Sequence, residues 1–366
     1  MSIYERVPSV GLSFLAILLA LTCFWSAESL ALDISGFIES KYFQRFGGLE
    51  ENSPREFDVS GLNLLLGHRI DRFSMLAELR WAHSAELEGL NRSETSGTSA
   101  KGQGVIMAER AWVGVDLGDM FQIKVGNQLG PAIYQTIHFP SILPNMTKPM
   151  MVNNVISDLY NGLNVSGKFQ SGAEYELVYA TDPMAKDDTL KSNLHKGITY
   201  GGRLGYRLTG QRSSLYLGGL MMSYALGRDT TEFDDPTQTP PGIFIQNARE
   251  MEGLIKIRDF SLWFEIGDRK DTVNEAFSMQ GFYVLMSQSF YFGDIELLPS
   301  LVVESFHDRQ ETLAQINRYS AGITVRFVPD VSLKVEYLLR PSYQKNETDW
   351  SEKQDQLGLG LVIFFM

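Results

Sequence analysis

The chain of 366 residues contains one cysteine, Cys23, and it lies in an N-terminal apolar stretch. If that stretch is a leader that is removed, the rest of the protein can form no disulfide, no thiolate metal site and no cysteine nucleophile. Histidine is nearly as scarce, with only His68, His83, His138, His195 and His307, and none of them falls in a metal-ligand spacing. No phosphate-cradling glycine loop and no nucleic-acid signature occurs along the chain. A formal charge of −12 argues further against a polyanionic partner, so no nucleic acid is expected. Beyond Trp25 there is no uninterrupted apolar run long enough for a transmembrane helix. No cofactor is expected.

The first 31 residues have the layout of a secretory signal peptide. Arg6 supplies a basic start, and Leu12 to Trp25 forms an apolar core of about fourteen residues, short for a membrane-spanning helix. Ser29-Leu30-Ala31 places small residues at −3 and −1, which puts cleavage after Ala31. Residues 32–366 are then a single unit with many glycines and 11% aromatics.

That unit is punctuated regularly. Tight turn signals occur at Asp71-Arg72, Gly118-Asp119, Ser171-Gly172, Gly210-Gln211, Arg258-Asp259, Gly293-Asp294 and Pro329-Asp330. Longer polar connections alternate with them, near residues 47–55, 86–104, 130–158, 183–196, 227–247, 269–276, 307–315 and 341–354. Seven short turns and eight long loops imply sixteen strands with both ends on the short-turn side.

Several of these strands have two distinct faces at period two. Phe73, Met75, Ala77, Leu79 and Trp81 alternate with Ser74, Leu76, Glu78 and Arg80. Val331, Leu333, Val335, Tyr337 and Leu339 alternate with Ser332, Lys334, Glu336 and Arg340. Ile198, Tyr200, Leu204, Tyr206 and Leu208 oppose Thr199, Arg203 and Arg207, while Tyr319, Ala321, Ile323, Val325 and Phe327 oppose Ser320, Thr324 and Arg326. The last ten residues, Leu357 to Met366, alternate in the same way and need a partner strand; pairing with the first strand would close the sheet and remove its edges. A soluble β-sandwich would put the charged face outside. Two features favour a membrane barrel instead: opposite charges recur on the polar faces, as in a wet lumen, and aromatics end the apolar faces, as at membrane interfaces. The expected fold is therefore all-β, a transmembrane antiparallel up-and-down barrel of about sixteen strands with a long third external loop.

With that architecture the chain resembles the general and substrate-selective porins of Gram-negative bacteria. The local likeness is strongest over Val125-Gly126-Asn127-Gln128-Leu129-Gly130-Pro131 followed by Lys148-Pro149, which is similar to the phosphate- and carbohydrate-type porins. Ala132 and Ile133 stand where an aromatic and a glycine are usual, and Met366 ends the chain where Phe is usual. The resemblance implies an outer-membrane location after leader cleavage, contact with membrane lipid and lipopolysaccharide, a homotrimer, and a third loop folded into the lumen. It implies passive passage of small hydrophilic solutes or ions.

The third connection suits a constriction. Pro131, Pro140, Pro144 and Pro149 stiffen it, and Tyr134, His138, Asn145, Lys148, Asn153, Asn154 and Asp158 offer polar contacts. Lumenal charge sets pore selectivity. The strand-borne bases Lys41, Arg80, Lys124, Lys168, Arg203, Arg207, Lys256, Arg326, Lys334 and Arg340 nearly balance the acids Glu39, Glu78, Glu109, Glu174, Glu176, Glu252, Glu265, Glu304 and Glu336. The candidates for the constriction and pore lining are Arg80, Lys124, Tyr134, His138, Lys148, Arg203, Arg207, Glu265, Arg326 and Lys334. Two other functions remain open. One is a structural barrel whose loops, above all the second and fifth, bind a partner. The other, weaker, is an outer-membrane hydrolase using His83-Ser84 and Asp308, though adjacency in sequence does not make a catalytic pair. The chain is expected not to be an enzyme.

Overall fold

The computed structural model describes residues 32–46, 55–82, 105–136, 143–156, 159–183, 194–228, 243–272, 278–308, 314–339, 343–346, 349–351 and 355–365. The expected signal peptide lies outside the described residues, as do the tip of the second loop and the centre of the fifth. The strands in chain order begin with β1 Asp33–Phe46, β2 Arg55–Ile70, β3 Phe73–Ala82, β4 Val105–Asp116 and β5 Gln122–Leu129. Two short helices follow, α1 Ile133–Thr136 and α2 Met150–Asn154. Then come β6 Leu159–Lys168, β7 Ala173–Pro183, β8 Leu194–Thr209, β9 Ser213–Arg228, β10 Ile243–Ile257 and β11 Phe260–Asp271. The last group is β12 Ser278–Gln288, β13 Phe290–Phe292, β14 Ile295–Asp308, β15 Ala314–Val328, β16 Val331–Leu339, β17 Tyr343–Asn346, β18 Asp349–Ser351 and β19 Asp355–Phe365.

All but β17 and β18 belong to one antiparallel sheet, and the sheet is closed. β1 pairs with β2 on one side and with β19 on the other, from Gly36↔Phe365 to Phe46↔Asp355. β12 and β13 are one strand in function. Ser287↔Ser300 and Phe290↔Leu297 lie on a single register against β14, and the gap between them faces Pro299, which has no N–H to give to the ladder. Counting β12 and β13 as one gives a sixteen-stranded up-and-down barrel.

All seven short turns fall between the strands they were expected to join. Four are two-residue hairpin loops, and in three of them the first loop residue takes a positive φ: Asp71 at 51°, Arg258 at 53° and Gly293 at 63°. The long connections are shorter than the sequence suggested. Residues 227–228, 243–247 and 269–271 continue in the ladders of β9, β10 and β11, as in Gln246↔Asp271. The connection at 341–354 holds an unforeseen small hairpin, β17 with β18.

The two faces sort as the alternation requires. In β16, Leu333, Val335, Tyr337 and Leu339 are exposed while Ser332, Lys334, Glu336 and Leu338 are buried. Leu204 on β8 is 69% exposed, whereas Thr199 on the other face is 1% exposed. Apolar side chains thus coat the outside of the cylinder. Phe73, Phe121, Phe169, Tyr206, Tyr291, Phe292, Phe327 and Phe365 are all exposed near the short-turn end. Tyr179, Tyr200, Tyr319 and Tyr337 are exposed nearer the other end. Such paired rings match the girdles of membrane barrels.

A barrel of this size cannot fill its interior with wall side chains alone. Here the described residues of the connection between β5 and β6, 130–136 and 143–156, run inside it. Ala132, Met151, Val155 and Ile156 from that connection pack with Tyr160, Val178, Leu220, Met222, Tyr224 and Phe306 of the wall. Ile133, Tyr134, Leu143 and Val152 pack with Tyr216, Leu254, Trp263, Tyr283, Leu285 and Val302. The buried apolar core therefore lies between this connection and the inner wall from β6 to β14.

Candidate functional site

The inward connection is irregular backbone, so its N–H and C=O groups need partners from elsewhere. The wall supplies them. The Ile133 N–H donates to Glu252 Oε2 at 2.7 Å, and the Tyr134 N–H donates to Glu265 Oε1 at 2.9 Å. The Met146 and Thr147 N–H groups both donate to Glu336 Oε2, at 2.6 and 3.0 Å, and the Met150 N–H donates to Glu304 Oε2 at 2.7 Å. Carbonyls are met by donors on the next strands. Lys334 Nζ donates to the Leu143 oxygen at 2.6 Å, and the Arg318 guanidinium donates to the Lys148 oxygen at 2.8 Å. The Ser300 and Thr324 hydroxyls share the Pro144 oxygen at 3.2 and 3.0 Å. Bonds to charged groups are about twice as strong as neutral ones, so this set fixes the segment against β10, β11 and β14 to β16. Tyr134 also meets Tyr283 edge to face, with ring centroids 5.8 Å apart. Burial pushes the Tyr134 hydroxyl above its ordinary value, which keeps it protonated and neutral.

The wall from β1 to β5 carries a different set of side chains. Lys41 pairs with Glu39 at 2.9 Å on β1. In β4 a bulge inserts Glu109 between the pairs Glu78↔Arg110 and Leu79↔Ala108. The bulge turns two consecutive residues to the same side. Arg80 then reaches Glu109 at 3.5 Å, and Arg110 pairs with Glu78. Strict alternation puts Glu109 and Arg110 on opposite faces, which is why Arg110 was not among the expected lumenal bases. Lys124 on β5 sits over the Trp112 ring at 4.8 Å. Among the described residues, no carboxylate lies within ion-pair distance of it.

Lys124 borders a cavity of about 800 Å³ that opens at the short-turn end, where Gly118 and Asp119 form part of its rim. Its charged lining includes Arg69, Lys168, Glu174, Glu176 and Arg203. Arg203 bridges Glu176 at 3.3 Å and Glu252 at 3.6 Å, and Arg207 holds Glu174 at 2.8 Å while lying over the Tyr216 ring.

The ten candidates thus divide into groups. Tyr134, Lys148, Glu265 and Lys334 belong to the inward segment and its anchors. Lys334 is only 1% exposed and is occupied by two backbone oxygens, which makes it a clamp. Arg80 and Lys124 lie on the β1–β5 side, and Arg203 and Arg207 on β8 near the short-turn end. Arg326 stands apart on β15, paired with Glu296 at 2.7 Å. His138 lies outside the described residues, as do His83 and Ser84. Sequence reasoning did not single out Arg318, which meets the inward segment at the Lys148 oxygen, or Glu250, which lies beside Glu252 and Glu265.

Neither a protein-family model nor a curated protein sequence matches the chain. Solved structures do match along almost its whole length. One is OmpF of Salmonella typhi in complex with daunomycin, with TM-score 0.62 and 15% identity over 91% of this chain and 97% of that one. An anion-selective porin from Comamonas acidovorans gives TM-score 0.59 and 11% identity, covering 92% and 100%. The trimer form of OmpT, an outer membrane protein of Vibrio cholerae, gives TM-score 0.57 and 11% identity, also covering 92% and 100%. The fold is that of the outer-membrane porin barrels.

Proposed function

We propose that the chain is an outer-membrane porin, a passive diffusion channel for small hydrophilic solutes and ions. The observation that carries this is the lie of residues 130–136 and 143–156 inside the barrel, anchored on the far wall, with an ion-paired wall from β1 to β5 beside them. A barrel that served only as an anchor would have no use for a built-in constriction with charged walls. The outer apolar belt and its two aromatic rings support insertion in a bilayer. A homotrimer is part of the proposal, supported by the likeness to a solved trimer. Bases and acids are matched along the lumen, so ion selectivity is weak. No bond-making step is assigned to the chain.

The test is a planar bilayer containing the purified, folded protein under a salt gradient. Ohmic current in discrete steps with a small reversal potential is expected. Folded barrels that carry no current would contradict the channel and favour a barrel whose loops bind a partner.

A further inference from the structure

Three carboxylates meet beneath the start of the inward segment. Glu250 and Glu252 project from β10 and Glu265 from β11, and one oxygen from each lies within 4.8 Å of the others. Glu252 and Glu265 are partly satisfied: Glu252 accepts from the Ile133 N–H and from the Tyr216 hydroxyl at 2.6 Å, and Glu265 accepts from the Tyr134 N–H. Glu250 is different. It is only 6% exposed, and neither of its oxygens accepts a hydrogen bond. The second oxygen of Glu265 has no donor in hydrogen-bonding geometry, although Glu250 and the Tyr283 hydroxyl both lie beside that carboxylate. Two buried carboxylates facing each other with nothing between them repel, and burial of an unpaired charge costs several kcal/mol. Either a shared proton or a cation must offset that repulsion.

We propose that Glu250, Glu252 and Glu265 bind a calcium ion that fastens the inward segment to the barrel wall. The charge fits: three carboxylates, with the Arg203 guanidinium shared between Glu252 at 3.6 Å and Glu176 at 3.3 Å, leave ample negative charge for a divalent cation. The spacing fits too, because ligands on opposite sides of calcium at about 2.3–2.6 Å lie no more than about 5 Å apart. Every ligand is a hard oxygen, which excludes the softer metals that favour nitrogen or sulfur. Magnesium keeps several waters and demands octahedral order. Around this cluster the wall is apolar and aromatic, with Ile133, Tyr134, Trp263 and Tyr283 packed together. Calcium, which accepts irregular shells of protein oxygen, is the better occupant. The site holds Glu252 and Glu265 in the orientation in which they receive the Ile133 and Tyr134 N–H groups. This inference does not depend on channel activity.

The experiment uses the full chain, folded in detergent and stripped with EGTA. Terbium serves as a luminescent stand-in for calcium, because Tyr134, Trp263 and Tyr283 belong to one cluster with the site and can sensitise it. Saturable terbium emission, displaced by calcium and much less by magnesium, is expected in the native protein. Glu250→Gln and Glu265→Gln should each weaken it by about tenfold or more, since ligand charge tunes affinity, while Asp294→Asn in an exposed turn should leave it unchanged. The thermal midpoint of the native protein gives a second readout that needs no variant, and calcium should raise it relative to EGTA. Absence of displaceable terbium binding in the native protein would overturn the site. So would binding that survives Glu250→Gln. A midpoint insensitive to calcium but raised by acidification would show that a shared proton holds the cluster, and would overturn it as well.

Discussion

Lys124 and Lys334 are both lumenal lysines on strands, and the alternation of their neighbours placed both on the inner face. Their roles differ. Lys334 spends its ammonium on the Leu143 and Asn145 oxygens, whereas Lys124 lies over Trp112 beside an open cavity. Sequence shows which face a charge takes but not what comes to meet it across a barrel, since the partner lies far along the chain. The same limit applies to Glu336, which receives two N–H groups some 190 residues earlier. We propose Lys124 as a lumenal cation placed to act on a passing ion. Two unit charges 4 Å apart interact by about 1 kcal/mol in bulk water, and more beside a low-dielectric wall. Reversing the charge with Lys124→Glu changes the energy of a passing ion by twice that interaction. We expect a several-fold shift of the permeability ratio towards cations, read as a displaced reversal potential at low salt. The corresponding reversal at Lys334 would instead disturb the clamp and is a poorer probe of selectivity.

At the scale of elements, the short turns were legible because their chemistry is local: Asp71, Arg258 and Gly293 stand where a two-residue hairpin needs a positive φ. Gly126, inside the segment that carried the porin likeness, has a comparable local reason. A Cβ there would fall 2.2 Å from the Ala111 oxygen across the ladder. The long-loop ends of the strands were less legible. Gln246, Asn247, Arg269 and Lys270 fall within the long connections read from the sequence, yet they lie within paired β10 and β11, with Arg269 donating to Gln246 at 2.8 Å. Strands of a membrane barrel can continue into water above the apolar belt, where polarity no longer marks an end. The β4 bulge was invisible for another reason, since an inserted residue leaves composition unchanged and only shifts the period. Face assignment can be tested directly. Val335→Arg puts a cation into the outer apolar belt at a cost of about 2–4 kcal/mol near the bilayer midplane. Gln122→Arg puts the same side chain into the short-turn cavity, where there is room and water. The folded fraction after assembly in lipid vesicles should fall sharply for Val335→Arg and stay near the native level for Gln122→Arg. The reverse pattern would mean the faces are exchanged, because a one-residue slip reverses every side chain, and equal outcomes would contradict the sorting of faces.

For the whole molecule, closure of the sheet was legible from the terminal strand, and the strand count from the alternation of short turns and long connections. The path of the connection between β5 and β6 was not. Its length and four prolines suggested stiffness, but nothing local says whether such a segment lies outside the barrel or inside. The contacts that hold it inside come from β10, β11 and β14 to β16, each supplying a charged or hydroxyl group that would otherwise only line a wet channel. That distribution explains how a chain with 15% identity or less to these solved barrels can keep their fold: pairing and alternation specify the cylinder, and a small set of anchors fixes the inward segment. The central claim is that this segment narrows a water-filled passage. The most direct test replaces residues 134–147 with a short Gly–Ser bridge and measures single-channel conductance beside the native protein. No strand is altered, and the freed acids and Lys334 would face water in a wider lumen, so the barrel should still assemble. The account predicts a larger unit conductance and passage of larger neutral sugars; an assembled variant with unchanged conductance would contradict it.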